Sequence, residues 1–374
     1  MPRTLVGLDI GSSGVRAAEF VLGRRKATLR RFATLPLPHG VVSAGAVVDS
    51  EALTQTLRDL WSEGHFSTKA AALGIANTSL LVRQMDLDWM PPADFRQALR
   101  YQVEDSLPIP VDDANLDYHL LDDLEVTGEG DKPRRVQRIL LVAAARSMVD
   151  GFVEATHQAG LRTTSVDILP FALIRARMPA GVDDTHEVEA IVDIGAETVT
   201  VVVHAGGVPR YVRMIPDVGG ESITQAVRQR FDWTWEEAER TKIGVGLPGH
   251  ASLPPEQLTG LATPVHGLDH PAQEQVSAAV DILIDEVSTT LDYYRGSTTG
   301  AATAEDPSAV ARVLLAGKGA RLGGLTERLH ERLGLPVEAL SVVEQVRVAR
   351  GVDISDEDTV SLVVPAGLCL AGGR

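Results

Sequence analysis

Two aspartates 184 residues apart occupy the same place in a repeated pattern. Aligning Val6–Phe20 (VGLDIGSSGVRAAEF) with Ala190–His204 (AIVDIGAETVTVVVH) pairs Asp9 with Asp193 and sets a turn of small residues after each. Carboxylates can hold Mg²⁺ through its water shell, and successive backbone amides in such a turn can point together at an anion. The pattern predicts a site for a magnesium-bound polyphosphate; two unrelated hairpins are the alternative interpretation.

Both turns join one apolar strand to another, and no helix-forming segment follows the glycine. This separates them from the glycine-rich phosphate loops that connect a strand to a helix. We therefore expect one hairpin from each half of the chain to clamp the polyphosphate, with Asp9 and Asp193 holding Mg²⁺ through water. The predicted phosphate contacts are small or hydroxyl-bearing residues of the two turns: Gly11, Ser12, Ser13, Gly195 and Thr198.

Two more elements could complete a nucleotide site. Gly317 and Gly319 flank Lys318 in LLAGKGARLGGL, where a base or ribose could lie against bare backbone; an ordinary strand-to-helix turn is the alternative. Glu239 and Lys242 lie one helical turn apart and could bind ribose hydroxyls or the base edge, although pairs at this spacing are usually solvated. The glycines that open the preceding helix, Gly219 and Gly220, are assigned to the same site.

Composition limits the classes of partner. The chain has 374 residues, is 44% hydrophobic and carries a formal net charge of −16, so nucleic acid is an unfavourable partner and a bound nucleotide needs a divalent cation. The single cysteine, Cys369, allows no internal disulfide, and no apolar signal segment opens the sequence. The expected location is the cytoplasm.

A helix between the two repeats carries an apolar stripe. It is predicted from Pro92 to Asp105, and Phe95, Leu99 and Val103 recur on one face. The surrounding β-α-β-β-α order suggests a small inserted subdomain. We favour the core face of this helix for the stripe; the wall of a peptide groove is an alternative that only a family resemblance of this chain implies.

The segments DIGSSGVR, DIGAETVTVVV and LLAGKGARLGGL resemble, in this order, the phosphate-1, phosphate-2 and adenosine motifs of the actin-like ATPase superfamily. MPPADFRQALRYQVEDSLPIPVDDANLDYHLL, DILPFALIRA and IPDVGGESITQAVRQRFDWTWEEAERTK are similar to the type IV pilus assembly PilM family. The resemblance implies an α/β actin-like ATPase fold. Two ribonuclease-H-like lobes then enclose a nucleotide cleft that takes ATP or ADP with Mg²⁺, and an FtsA-like 1C subdomain is inserted in the first lobe.

The resemblance also implies a division of the chain into six segments. These are residues 1–84 (lobe I core, 1A), 85–168 (the inserted 1C-like subdomain), 169–190 (return to lobe I), 191–225 (lobe II core, 2A), 226–305 (small subdomain of lobe II, 2B) and 306–374 (lobe II core and C-terminal return to lobe I).

The family's role, carried over, is that of an ATP-binding scaffold at the inner face of the cytoplasmic membrane. It implies binding to a short N-terminal cytoplasmic peptide of a PilN-like bitopic membrane protein, with self-association a further possibility. Two other classes share the fold: an FtsA-like division filament protein, which normally ends in an amphipathic membrane helix, and a small-molecule kinase, which needs a polar substrate pocket and a base.

Two positions depart from hydrolysing relatives. Leu169 stands where such proteins place a Glu or Gln that orients the attacking water, so at most slow ATP hydrolysis is expected. Asp167 is the remaining weak catalytic candidate. Lys318 replaces a second glycine and could crowd the base or reach a phosphate. His266 and His270 lack companion ligands, so no metal site is predicted there.

Overall fold

The computed structural model describes residues 3–23, 26–126, 134–178, 187–250, 269–298 and 309–371. The strands, in chain order, are β1 (Arg3–Ile10), β2 (Gly14–Leu22), β3 (Thr28–Pro36), β4 (Val42–Ser43), β5 (Ala46–Val47), β6 (Ala70–Ile75), β7 (Leu81–Asp88), β8 (Ala114–Val126), β9 (Arg134–Ala145), β10 (Arg162–Ile168), β11 (Val188–Ile194), β12 (Thr198–Ala205), β13 (Val208–Pro216), β14 (Val310–Ala316), β15 (Val337–Ala339) and β16 (Arg347–Val348). The helices are α1 (Ser50–Gly64), α2 (Pro92–Val103), α3 (Arg146–Gln158), α4 (Leu169–Arg177), α5 (Gly220–Phe231), α6 (Trp235–Val245), α7 (Asp269–Thr298), α8 (Leu325–Leu333) and α9 (Asp356–Leu370).

Two large mixed sheets form the centres of two lobes. The first lobe is built on the strand order β10-β6-β1-β2-β3-β16, and the second on β13-β12-β11-β14-β15. In each sheet an antiparallel three-strand meander, β1-β2-β3 or β11-β12-β13, is extended by a parallel neighbour of its first strand. The two halves of the chain therefore repeat one plan, as the paired Asp-Ile-Gly motifs predict.

The first strands of the two meanders, β1 and β11, are mostly apolar because the sheets are covered on both faces. β11 is buried throughout, and β1 is buried from Leu5 to Ile10. Helices α1 and α3 pack on one face of the first sheet, and α4 and α9 pack on the other. Helices α5, α7 and α8 contribute to the core of the second lobe.

Helix α9 completes the core of the first lobe although it follows the second lobe in the chain. Its backbone lies directly on β1: a Cβ added to Gly7 would stand 1.9 Å from the carbonyl oxygen of Pro365. A Cβ on Gly367 would stand equally close to the carbonyl oxygen of Ala172 in α4. These glycines allow the two central helices and β1 to approach at backbone distance. The largely apolar sequence of residues 360–371 predicts a core element that closes the fold, and α9 is that element.

The inserted unit is a three-stranded antiparallel sheet in the order β7-β9-β8, with α2 packed on it. Phe95, Leu99 and Val103 are buried against Ile139 and Leu141, so the stripe is the core face of the helix, as favoured from the sequence. The helix ends at residue 103, and the predicted last turn is a 3-10 turn instead.

The limits of the inserted sheet differ from the predicted segment 85–168. The sheet begins at residue 81 and ends at residue 145, since α3 packs against α1 and β10 pairs with β6 in the first lobe. The sequence does not show whether α3 and β10 belong to the inserted unit or to the first lobe. Their apolar patterns are of the kind expected in either unit.

Thr234 and Glu237 have the spacing of a capping box, which predicts the start of a helix in the second lobe. α6 begins there, and the Thr234 side chain accepts a hydrogen bond from the amide of Glu237. Residues 276–295 have an amphipathic pattern that predicts a long helix, and α7 contains them but begins earlier, at residue 269. The Pro-, Gly- and His-rich segment 247–275 predicts irregular structure, and its residues 251–268 lie outside the described residues.

Candidate functional site

A cavity of about 650 Å³ lies between the lobes and is lined by both Asp-Ile-Gly turns. Most of the residues predicted to bind the cofactor line it: Asp9, Gly11, Ser12, Ser13, Asp193, Gly195, Thr198, Gly220, Glu239, Lys242, Gly317, Lys318 and Gly319. The two turns thus share one opening, which is the arrangement required for a ligand held by both halves of the chain.

The turns are closed by the same hydrogen bond. The amide of Gly11 donates to the carbonyl of Gly14, and the amide of Gly195 donates to the carbonyl of Thr198, both over 3.0 Å. Within the described part of the chain, the amides of the two residues after each glycine have no acceptor. These free donors are Ser12 and Ser13 in the first turn and Ala196 and Glu197 in the second. Turn residues that line one cavity and have unsatisfied amides favour an anionic ligand.

Asp9 has a cationic partner. An Nη atom of Arg16 donates to its carboxylate over 2.8 Å, because hairpin register places the two residues opposite each other on β1 and β2. The Nε of Arg16 is buried without a partner, and so is the hydroxyl of Ser361, which also lines the cavity. Orphaned buried polar atoms at a cavity wall are the places where a polar ligand would bind.

Asp193 lacks such a partner. Its cross-strand neighbour is Thr200, in the position equivalent to Arg16. The pKa of Asp193 is raised to about 7, mainly by burial and also by the charge of Asp9, against the opposing effect of Arg16. Two buried carboxylates that share a single arginine leave the cleft with an excess negative charge, which suits a cation.

The start of α5 supports the second turn from behind. The amides of Gly220 and Glu221 donate to the carbonyls of Gly195 (2.9 Å) and Ala196 (2.8 Å), so they are not free for a ligand. A Cβ on Gly219 would stand 2.2 Å from the carbonyl oxygen of Ala196. Gly219 is not among the residues that line the cavity, and this close approach accounts for the glycine.

Glu239 and Lys242 are not a solvated surface pair. Lys242 is 8% exposed, and its Nζ lies 2.6 Å from the Glu239 carboxylate, 3.0 Å from the hydroxyl of Thr224 and 3.1 Å from the carbonyl of Gly220. The ammonium group therefore fixes α6 to the first turn of α5. Glu239 keeps part of its carboxylate accessible to the cavity.

The glycines of the third motif pack on the end of β11. Gly317 has a φ of +79°, and a Cβ there would stand 2.5 Å from the carbonyl oxygen of Ile194 and 2.7 Å from a carboxylate oxygen of Asp193. A Cβ on Gly319 would meet the Ile194 side chain at 2.3 Å. The motif thus fixes a 3-10 turn against the carboxylate that it flanks, while Lys318 is exposed at the cavity edge.

Asp167 does not line the cavity. Its carboxylate pairs with Arg175 of α4, and burial is the main cause of its raised pKa, against the opposing effect of Arg175. Leu169 does line the cavity, one residue after β10 ends. An apolar side chain therefore stands at the position where the family resemblance places a water-orienting group.

Residues that the sequence did not single out complete the walls. Glu197 reaches across the cleft, where its carboxylate accepts hydrogen bonds from the amide of Ala44 (2.8 Å) and the hydroxyl of Ser43 (3.0 Å) of the first lobe. His39 stacks on Trp235 with ring centroids 4.8 Å apart. These contacts join segments that are far apart in the chain, and no local pattern indicates them. Arg16 could have been found, since hairpin register pairs it with Asp9.

The described residues contain no group of three or more His, Cys, Asp or Glu side chains that could hold a metal ion by themselves. His270 lies 3.4 Å from Glu274 at the exposed start of α7, and His266 lies outside the described residues. A cation in the cleft would need ligands from water and from a bound phosphate as well as from the two aspartates.

Two lobes of one plan, each opening onto a shared cleft through an Asp-Ile-Gly hairpin, define the actin-like ATPase fold. A family model described as type IV pilus assembly protein PilM matches residues 7–254. The chain belongs to the type IV pilus assembly protein PilM family, and its role lies in type IV pilus assembly. A model for the cell division protein FtsA matches residues 190–360.

Solved structures share the fold. The chain is similar to a protein of the PilM-PilN type IV pilus biogenesis complex, with a TM-score of 0.81, 23% identity and full coverage of both chains. It is similar to the ethanolamine utilization protein EutJ from Carboxydothermus hydrogenoformans, with a TM-score of 0.54, 16% identity and coverage of 100% of this chain and 91% of that one. It is also similar to MreB 5 of Spiroplasma citri bound to AMPPNP, with a TM-score of 0.51, 14% identity and coverage of 99% and 96%. None of the helices in the described residues is long and apolar enough to cross a membrane.

Proposed function

We propose that the cleft binds ATP or ADP together with Mg²⁺, and that the nucleotide-loaded protein acts as a scaffold in type IV pilus assembly. The observation that carries the proposal is the pair of turns that line one cavity together with Arg16, Asp9 and Asp193, and whose amides have no acceptor among the described residues. The fold is shared with MreB 5 bound to AMPPNP, which is consistent with a nucleotide here.

The residues present fit a nucleoside triphosphate. The free amides of Ser12, Ser13 and the second turn would bind phosphate oxygens, and the unpartnered Nε of Arg16 would add a charged donor. Asp193 and Asp9 would hold the hydrated cation, which neutralises polyphosphate charge when bound. Burial of Asp193 without a basic partner supports this assignment.

The same cavity would take the nucleoside. Its lining includes the turn from Gly317 to Gly319, which packs beside Asp193, and also Glu239 and Lys242. The Lys242 ammonium already donates to three groups of the protein and cannot accept, so Glu239, whose side chain stays partly accessible, is the proposed acceptor for ribose hydroxyls. Apolar side chains line the same region and could contact the base: Ile223, Ile243, Leu283, Leu322 and Leu325.

Slow hydrolysis is part of the proposal. Leu169 cannot accept a proton or orient water, and the carboxylate of Asp167 is held by Arg175 outside the cavity lining. The nucleotide then serves to fix the two lobes rather than to supply chemical energy. A small-molecule kinase is less favoured, because it needs a base beside its acceptor.

The proposed partner is the N-terminal cytoplasmic peptide of a PilN-like membrane protein, which would keep the scaffold at the inner face of the cytoplasmic membrane. The relative in the PilM-PilN complex supports this choice. Strands β10 and β8 each form an edge of their sheet among the described strands, with Val166 and Leu120 exposed on them. Asp117 of β8 is close enough to Asp167 to affect its pKa, so acidic side chains from both units meet here. An extended peptide with apolar and basic residues would suit these two exposed strand edges.

Nucleotide binding is tested by calorimetric titration of the purified full chain with ATP, with and without Mg²⁺. Tight binding that requires Mg²⁺, with turnover below about one per minute, is the expected result. Absence of ATP and ADP binding at millimolar concentration would refute the nucleotide proposal.

Peptide binding is tested separately by fluorescence anisotropy with a labelled N-terminal peptide of a PilN-like protein. Val166→Glu on edge strand β10 should weaken binding at least 10-fold. Val348→Glu is the matched control, because Val348 is similarly exposed (38% against 36%) on β16 at the opposite edge of the same sheet. Equal loss in both variants would place the peptide elsewhere.

A further inference from the structure

A band of basic residues runs along one end of the six-stranded sheet, opposite the cleft. β6, β10, β3 and β16 all run parallel to β1, so these five strands begin at the same end of the sheet. A basic residue stands at, or within two residues before, the start of every one of them. The members of this basic band are Arg3 (β1), Lys26 (β3), Lys69 (β6), Arg162 (β10) and Arg347 (β16).

Hydrogen bonds hold the band in place. The amide of Arg162 donates to the carbonyl of Lys69 over 2.8 Å, and the amide of Arg347 donates to the carbonyl of Ala27 over 2.8 Å. The Nζ of Lys26 donates to the backbone carbonyl of Glu344 over 3.0 Å, not to its carboxylate. Neighbouring strands lie about 4.8 Å apart, so the band extends about 24 Å from β10 to β16.

The charges of the band are available to a partner. All five side chains are exposed, and none forms an ion pair with a carboxylate of the described residues. Glu19, an acid of the strand between β1 and β3, is buried and bonded to Arg31 and to the amide of Ser67. The five side chains of the band therefore present positive charge without a paired carboxylate, on a chain whose net charge is −16.

The second lobe shows that the fold does not require such a band. At the corresponding end of its sheet, Glu187 precedes β11 and pairs with Arg312 of β14 over 2.6 Å, and an acid, Glu338, lies in β15. The same arrangement of strands is thus built there with balanced charges. The band belongs to this lobe's surface and not to the packing of the sheet.

We propose that the basic band is a contact surface for anionic lipid headgroups, which lets the protein bind an acidic membrane surface directly. The choice of lipid over other polyanions rests on the proposed role beside a membrane-embedded partner. A net negative chain is repelled from a long polyanion, but a protein that turns one basic edge toward a flat acidic surface keeps its remaining charge away from it. The contact should weaken with salt, since the Debye length is only about 10 Å at 0.1 M.

The experiment is co-sedimentation of the full chain with vesicles of phosphatidylcholine alone and of phosphatidylcholine with 30% phosphatidylglycerol, at low and high salt. Binding is expected to the acidic vesicles only and to fall as salt rises. Lys69→Glu with Arg162→Glu should reduce the partition coefficient at least about 10-fold.

The matched control reverses two exposed basic residues of the inserted unit, Arg83→Glu with Arg96→Glu, which changes net charge by the same amount. Its partition coefficient on the acidic vesicles should fall by less than half as much as that of the band variant. ATP titration of every variant reports folding and separates this proposal from the nucleotide site. Binding to neutral vesicles, equal loss in both variants, absence of vesicle binding, or tighter binding to DNA than to acidic vesicles would each overturn the proposal.

Discussion

The two Asp-Ile-Gly hairpins share a backbone but differ in the residue that faces the aspartate. Arg16 pairs with Asp9 in the first lobe, whereas Thr200 stands opposite Asp193 in the second. The repeated backbone provides the same free amides on both sides of the cleft. The asymmetric charge leaves Asp193 as the carboxylate that gains most from a cation, because its raised pKa reports an unfavourable buried charge.

A second difference lies within the turns. The position of Ser13 in the first turn corresponds to Glu197 in the second, and only Glu197 reaches the other lobe, through Ala44 and Ser43. One hairpin therefore acts within its own lobe, and the other also joins the two lobes. We expect the first hairpin to control affinity for the nucleotide and the second to control both the metal and the rate of release.

The largest effect is expected from removing the arginine that distinguishes the hairpins. Arg16→Met should weaken Mg-ATP binding by about 100-fold, since it removes a charged phosphate donor and leaves two buried carboxylates without compensation. Thr200→Val is the matched change in the second hairpin and should cost less than about 3-fold. Calorimetric titration measures both, and similar losses would mean that the hairpins are functionally equivalent.

The aspartates are compared next. Asp193→Asn should weaken binding of ATP by about 10-fold or more with Mg²⁺ present, and Asp9→Asn should do the same. Without Mg²⁺, Asp193→Asn should bind ATP at least as well as the parent, because a buried negative charge has been removed. If Mg²⁺ dependence survives in both variants, the cation is held elsewhere.

The pH dependence of stability tests the state of Asp193. Because its folded pKa is raised to about 7, the folded ligand-free protein binds a proton that the unfolded chain releases near pH 4. The contribution of Asp193 to the free energy of unfolding is therefore favourable at low pH. It is lost as the pH rises toward 7, by about 1.4 kcal/mol per pH unit, and is constant above pH 7. The difference between parent and Asp193→Asn in urea unfolding, from pH 5.5 to 8.5, isolates this group. A constant difference would contradict the assignment.

The smallest effect is expected from the contact that joins the lobes. Glu197→Gln keeps the shape of the side chain but weakens its two hydrogen bonds, so a fluorescent ATP analogue should dissociate about 3 to 10 times faster. Glu327→Gln, on the exposed start of α8, is the control for loss of one negative charge. Unchanged release in Glu197→Gln would show that the contact does not limit opening of the cleft.

The sequence was sufficient where the signal was local. The repeated motif predicted two related lobes and a shared cleft, because strand-turn-strand patterns and small turn residues are readable from neighbours in the chain. The core face of α2 follows from apolar spacing, whereas the apolar composition of residues 360–371 predicts a core element there but not that it is a helix. The motif points to Asp193, but its raised pKa depends on burial and on the charges of Asp9 and Arg16 in the other lobe, which the motif does not reveal.

The remaining features depend on contacts between distant segments. Gly219 was assigned to the ligand, yet its close approach to Ala196 explains it by packing. Asp167 was a weak catalytic candidate, and its pairing with Arg175 follows from the position of α4. The roles of Glu197 and His39 require the lobes to be assembled. The extent of the inserted unit depends on the sheet to which β10 belongs. The spacing of apolar residues in the sequence does not determine that β10 pairs with β6.

The backbone approach of α9 to β1 has a consequence for synthesis. The groove over Gly7 and the neighbouring face of α4 are filled by a helix that leaves the ribosome only after every strand of both large sheets. Until then the first lobe exposes a slot shaped for Pro365 and Gly367, an apolar surface that a chaperone could cover. The core of the first lobe, which is synthesised first, is therefore completed only by α9, one of the last elements to be synthesised.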